Sequence, residues 1–168
     1  LGTGHAVAQA LNSDWGKKIN SKPILVLSGD TPLVSSEVLK TLTNASLGKS
    51  VARVMTTTVS DPTGYGRIVR SGKAFKKIVE QKDASLKEQA IREINVGLYL
   101  FDCKFLKENI VSLKNKNAQK ELYLTDMVEI AVKKKKSVEA VSHAEARDLM
   151  GVNNPWELSI ANQVMAQR

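Results

Sequence analysis

In Ile24-Leu25-Val26-Leu27-Ser28-Gly29-Asp30-Thr31-Pro32, four aliphatic residues fenced by Pro23 and Gly29 end in a carboxylate on a turn. Such a run reads as a strand covered on both faces, with Asp30 leaving the sheet at its carboxyl rim. Open α/β sheets bind ligands and ions at that rim. Gly29 lets a ligand approach the backbone, and Pro32 stiffens the turn that follows. Held this way, an aspartate can ligate a hard cation such as Mg2+, which can hold phosphate oxygens. Taken alone, the same residues equally describe an ordinary Asp turn before Thr-Pro.

Upstream of this strand, Thr3 is a candidate N-cap for a helix over His5 to Leu11. Downstream, Ser35 and Glu37 open a helix carrying Val38, Leu39 and Leu42, and Val51 to Val59 is again extended. Together these predict a β-α-β unit with a parallel pair. Ser71-Gly72, between Arg67 to Arg70 and Lys73 to Val79, suits a tight antiparallel hairpin, so the sheet should be mixed. Ser85 to Arg92 reads as a short polar helix or loop, and Ile94 to Phe101 as a strand. Lys104 to Leu113 and Glu121 to Lys134 have helical spacing, and Ser137 to Val141 alternates like a strand. Asn154 should cap a final helix with Pro155 at its first position and Trp156, Ile160 and Val164 on one face.

The 168 residues suffice for one domain with a core, and no repeat or linker divides them. Twenty-five Lys and Arg against 17 Asp and Glu give a formal charge of +8, which suits polyphosphates, nucleic acid or an anionic surface without choosing among them. The basic block Lys133 to Lys136 reads as a solvated helix end, and aromatic residues are not interleaved with basic ones as a single-strand stacking surface requires. Neither nucleic acid nor membrane is therefore an expected partner. Cys103, the single cysteine, reads as a buried thiol in a reducing cytoplasm. Leu1-Gly2-Thr3-Gly4-His5 has no initiator Met, basic leader or hydrophobic block, so the chain is expected to be cut from a longer one.

Six stretches, Leu1 to Ala6, Gly29 to Leu33, Asp61 to Arg67, Ile78 to Ala84, Glu93 to Gly97 and Gly151 to Asn154, together resemble in order and spacing the uridyltransferase domain of bacterial N-acetylglucosamine-1-phosphate uridyltransferases. The resemblance covers nearly the whole chain. It implies a Rossmann-like nucleotide-diphospho-sugar transferase fold, α/β, with a mixed, mainly parallel sheet flanked by helices and amino-terminally truncated. Residues 1–168 would be a partial nucleotidyltransferase (pyrophosphorylase) domain. The implied reaction joins UTP and N-acetylglucosamine 1-phosphate into UDP-N-acetylglucosamine and pyrophosphate, a cytoplasmic step towards cell-wall precursors such as peptidoglycan and lipopolysaccharide.

By the same resemblance, Asp30 and Asn153 are the catalytic pair and the protein ligands of Mg2+, with Asn154 left to serve the helix. Gly2 and Thr3 would recognise uracil, Ser28 and Gly29 would line the pocket, and Gly66, Glu80 and Asn95 would hold the acetylated sugar. Tyr123 and Thr125 would stand on its sugar-phosphate side, although Tyr123 also reads as helix core. Two departures appear. Ser28 replaces a frequent Tyr, and the Gly-rich phosphate loop would precede Leu1, so the fragment is expected to be impaired in catalysis and in stability. Another sugar 1-phosphate, or a non-catalytic nucleotide-sugar-binding module, are the alternatives. A homotrimer is expected only through a β-helical acetyltransferase region not seen in these residues.

Overall fold

The computed structural model describes residues 1–20 and 22–168. Two helices, α1 (Gly2–Asn12) and α2 (Asp14–Lys18), come first. Thr3 does not cap α1: the cap position is Leu1, and the Thr3 hydroxyl accepts from the Leu124 amide at 3.1 Å. A tertiary partner thus takes the oxygen that local chemistry reserved for the helix start. Ser13 caps α2 through the Gly16 amide, a short helix the spacing did not reveal. β1 (Ile24–Leu27) and α3 (Ser36–Thr43) follow, the latter capped by Ser35 as predicted. β2 (Ser50–Thr58) leads to the hairpin of β3 (Gly66–Ser71) and β4 (Ala74–Val79), turned by Gly72 at φ +58.

A reciprocal Ser85/Glu88 capping box starts α4 (Leu86–Gln89), and β5 (Glu93–Phe101) is nine residues long. α5 (Cys103–Asn109) tightens into a 3-10 turn over Ile110–Ser112. The expected helix from Glu121 is shorter: α6 is Asp126–Lys133, and Glu121 to Thr125 are an irregular approach to it. Its backbone is instead tied to the amino terminus, with Gly4 N donating to Leu122 O at 2.7 Å and Leu122 N to Leu1 O at 3.1 Å. β6 (Ser137–Ser142) and α7 (Pro155–Ala166) complete the chain, α7 capped by Asn154 as predicted.

β5 is the spine of the sheet. One edge pairs antiparallel with β2, and the other with β1 along Leu98 to Phe101 and with β3 at Ile94 and Asn95. The expected parallel pair of β1 and β2 therefore does not form, because the long strand β5, apolar on both faces, lies between them. β2 pairs in parallel with β6, the one parallel pairing among the described residues. The mixed α/β sheet holds, but the pairings are not mainly parallel as expected. Because β5 inserts against β1, β2 and β3, antiparallel pairing dominates among the described residues, although β1, β2, β3 and β6 share one direction.

Alternation along β5 feeds two cores. Ile94, Val96, Leu98 and Leu100 pack with Val38 and Leu42 of α3, while Tyr99 and Phe101 pack with Phe105, Leu106, Met127 and Val128 on the opposite face. Cys103 is buried in that second layer's helix, as expected. Arg53, almost fully buried, fastens the end of α3 to the sheet by donating to the carbonyls of Leu42, Ala45 and Ser46 and to Glu139 Oε2. α7 buries Ala161 and Val164 against Leu33, and Trp156 is 74% exposed, so it does not share their face as the spacing predicted. A tryptophan in the first turn precedes the part of α7 that reaches Leu33.

The expectation that both faces of β1 are covered also fails. Leu25 and Leu27 are 37% and 45% exposed because their side of the strand opens on a cleft. No helix of the described residues is long and apolar enough to cross a membrane.

Candidate active site

The cleft has a volume of about 990 Å3 and runs across the carboxyl end of β1. Thr3, Ser28, Gly29, Asp30, Gly66, Glu80, Asn95, Thr125 and Asn153 all line it, although they come from every quarter of the chain. Gly2 and Tyr123 do not. Gly2, at φ +83, is pressed on the Leu122 carbonyl, where a Cβ would come within 2.7 Å. The Tyr123 ring is buried behind the wall.

One wall is made by β3, the end of β4 and β5. Gly66 stands opposite Asn95 in the ladder. A Cβ at Gly66 would lie 3.3 Å from Glu80 Oε2 and 3.6 Å from Asn95 Cβ, so the glycine keeps open a space bordered by both side chains. Arg67, the next residue, is buried and donates to Gln81 Oε1 at 2.6 Å and to the Tyr65 carbonyl. Gln81 Oε1 also accepts from Gly64 N at 3.2 Å, which fixes the turn before Gly66 to the segment after Glu80.

Glu80 accepts from the Thr125 hydroxyl at 2.9 Å. Burial, aided by the charge of Asp83, pushes its carboxyl above the usual range, while the Thr125 hydroxyl opposes this. Behind it, burial and the charges of Glu129, Glu80 and Asp83 raise Asp126 to about 6. A half-buried carboxylate of this kind is a strong acceptor for hydroxyl groups of a ligand that replaces its water.

The opposite rim is more open. Asp30 follows the strand end on an exposed turn, and its side chain takes no hydrogen bond among the described residues. Val152 N donates to the Asp30 carbonyl at 2.7 Å, which brings the loop before α7 to the end of β1. Asn153 comes next on that loop. Its backbone amide and Nδ2 both donate to Glu157 Oε2, at 2.6 and 3.3 Å, so Oδ1 is the atom left to face a ligand. Asn154 Oδ1 accepts from Glu157 N at 2.9 Å, the helix cap. Asp30 and Asn153 thus supply one charged and one neutral oxygen on adjoining strands of backbone, a donor set that fits a hard cation keeping its other positions for phosphate and water.

Two features of the site were not read from the residues. Glu157 orients Asn153, and Gly97, at φ +77, bulges β5 so that Ser28 N can donate to Gly97 O at 3.0 Å. A glycine inside the apolar run of β5 was the available signal for that bulge.

The nucleotidyl transferase family profile matches residues 1–157. This chain belongs to the nucleotidyl transferase family. Among its relatives, the protein named Bifunctional protein GlmU is 45% identical over 170 residues in Enterococcus faecalis, 47% over 171 in Clostridioides difficile and 46% over 171 in Streptococcus pyogenes. Each match takes in all of this chain and 36% of the relative, so the chain spans about a third of their length. A solved Bacillus anthracis chain, described as a candidate glucose-1-phosphate thymidylyltransferase in complex with sucrose, superposes with a TM-score of 0.67 at 21% identity, covering 96% of this chain and 60% of that one. That likeness establishes the shared fold.

Proposed function

We propose that the protein carrying this chain is a sugar-1-phosphate nucleotidyltransferase, and specifically that it makes UDP-N-acetylglucosamine and pyrophosphate from UTP and N-acetylglucosamine 1-phosphate. The observation that carries the reading is the convergence of Gly66, Glu80, Asn95 and Thr125 on one wall of the cleft whose other rim holds Asp30 and Asn153. The uridine and acetylated-sugar specificity rests on the six-stretch resemblance and is supported by relatives that match the chain from end to end.

A phosphate oxygen of the sugar phosphate attacks the α-phosphorus of UTP. The bond from that phosphorus to the bridging oxygen breaks, and pyrophosphate leaves. Most of the task is alignment and charge neutralisation. The sugar would lie against the buried wall, its hydroxyls meeting Glu80 and Asn95 and its approach made possible by Gly66. Thr3, which lines the cleft, would meet the base. Asp30 and Asn153 would hold Mg2+, which when bound supplies positive charge to the phosphate oxygens. Residues 1–168 act as the nucleotidyl-transferring domain in this reading, in the cytoplasm, and feed cell-wall precursor synthesis.

Pyrophosphate release by the full-length protein, measured across UTP and dTTP and a panel of sugar 1-phosphates, tests it. UTP with N-acetylglucosamine 1-phosphate is expected to give the highest kcat/KM. Preference for another sugar overturns the specific assignment, and nucleotide-sugar binding without turnover makes the domain a binding module.

A further inference from the structure

Asn95 is held by its neighbours before any ligand arrives. Its Nδ2 donates to the Tyr99 hydroxyl at 2.7 Å and its Oδ1 accepts from Gly97 N at 3.3 Å. In a regular strand, residues four apart are separated by about 13 Å, beyond the combined reach of these two side chains at hydrogen-bonding distance. The bulge closes that gap. Between Val54 and Thr56 of β2, β5 advances from Tyr99 to Asn95, four residues against two, with Gly97 in the left-handed region at its centre. Tyr99 is 4% exposed and stacks on Phe101 with ring centroids 5.6 Å apart, so its hydroxyl is fixed by the core.

We propose that Tyr99 is the positioning residue of the sugar wall: its hydroxyl anchors the Asn95 amide in the plane whose facing Gly97 N–H fixes, and so holds the remaining N–H and lone pair where a ligand meets them. The inference rests on the nucleotidyl-transfer reading above. Gly97 N can only donate and so fixes which way the amide faces, the Tyr99 hydroxyl anchors its other end, and one N–H and one lone pair remain for a substrate. An amide free to rotate would spend binding free energy on being ordered at each turnover. Burial and the nearby charge of Glu80 raise the phenol well above its ordinary range, which keeps it neutral and able to accept from Nδ2 across the working pH range.

Tyr99→Phe keeps the ring and removes the oxygen. In the full-length protein, its KM for the sugar 1-phosphate should rise about tenfold, the size of one lost hydrogen bond, with kcat and the KM for UTP within about twofold of wild type. Since Tyr99 acts through Asn95, the double variant Tyr99→Phe/Asn95→Ala should be no worse than Asn95→Ala alone. An unchanged sugar KM, or losses that add in the double variant, would overturn the inference. Should Tyr99→Phe fold poorly, the wild type still answers: the Asn95 side-chain amide protons should exchange slowly without ligand, and free exchange would refute the fixed amide. A wild type that turns over no sugar 1-phosphate defeats the nucleotidyl-transfer reading itself, and this inference with it.

Discussion

Glu80 and Asn95 stand on or beside the sheet with Thr125 and Tyr99 already engaging them, whereas Asp30 and Asn153 stand on exposed loops joined by the bond from Val152 N to Asp30 O. The first wall is continuous with the core that Tyr99 and Phe101 share. Its polar groups are partly desolvated, so each must be satisfied and each contributes to holding the fold. On the rim, the charged group stays in water and stabilises little. A substitution on the wall should therefore disturb folding and selection together, and one on the rim should disturb activity alone.

The largest effect is expected at Asp30. Asp30→Ala should lower metal-dependent pyrophosphate release by about 10^3-fold or more, the scale of removing a principal charge-stabilising group, while the melting temperature stays put. A matching fall in melting temperature would erase the contrast between rim and wall. Gly97→Ala comes next, because Gly97 joins the two regions. At φ +77, with a Cβ that would come 2.1 Å from Ser28 Oγ, it should lose about 2 kcal/mol or more in urea unfolding.

Glu80→Ala should raise the KM for the sugar 1-phosphate by roughly ten- to a hundredfold and leave that for UTP unchanged in steady-state assays. Equal loss for both substrates would place Glu80 outside the sugar wall. The smallest effect belongs to Asp126. Its folded carboxyl titrates near 6, above an unfolded aspartate near 4, so between those values the folded chain holds more proton than the unfolded one. Stability from this group is thus lost as pH rises through about 4 to 6. Asp126→Asn should gain about 1 kcal/mol at pH 7, discounted for partial exposure, and nothing at or below pH 4. Thermal melts at the two pH values decide it.

Much of the fold could be read locally. The hairpin at Gly72, the caps at Ser35 and Asn154 and the apolar runs of β1 and β5 are each set by neighbours within a few residues. Long-range partners set the rest. Thr3 gives its hydroxyl to Leu124 instead of its own helix, Glu121 to Thr125 leave the expected helix to pair with the amino terminus, and β5 enters between β1 and β2.

The residue sequence by itself established the α/β class and most of the element order, because alternation, helical spacing and capping act over one or two turns of chain. The groups that meet in the cleft were named by the family resemblance and not by any local pattern. Tertiary structure alone decided which strands are neighbours, that Leu25 and Leu27 face an opening, and that a bulge at Gly97 lets Tyr99 reach Asn95. Those outcomes depend on how distant, individually plausible segments compete for the same edge of the sheet, and no local pattern records that competition.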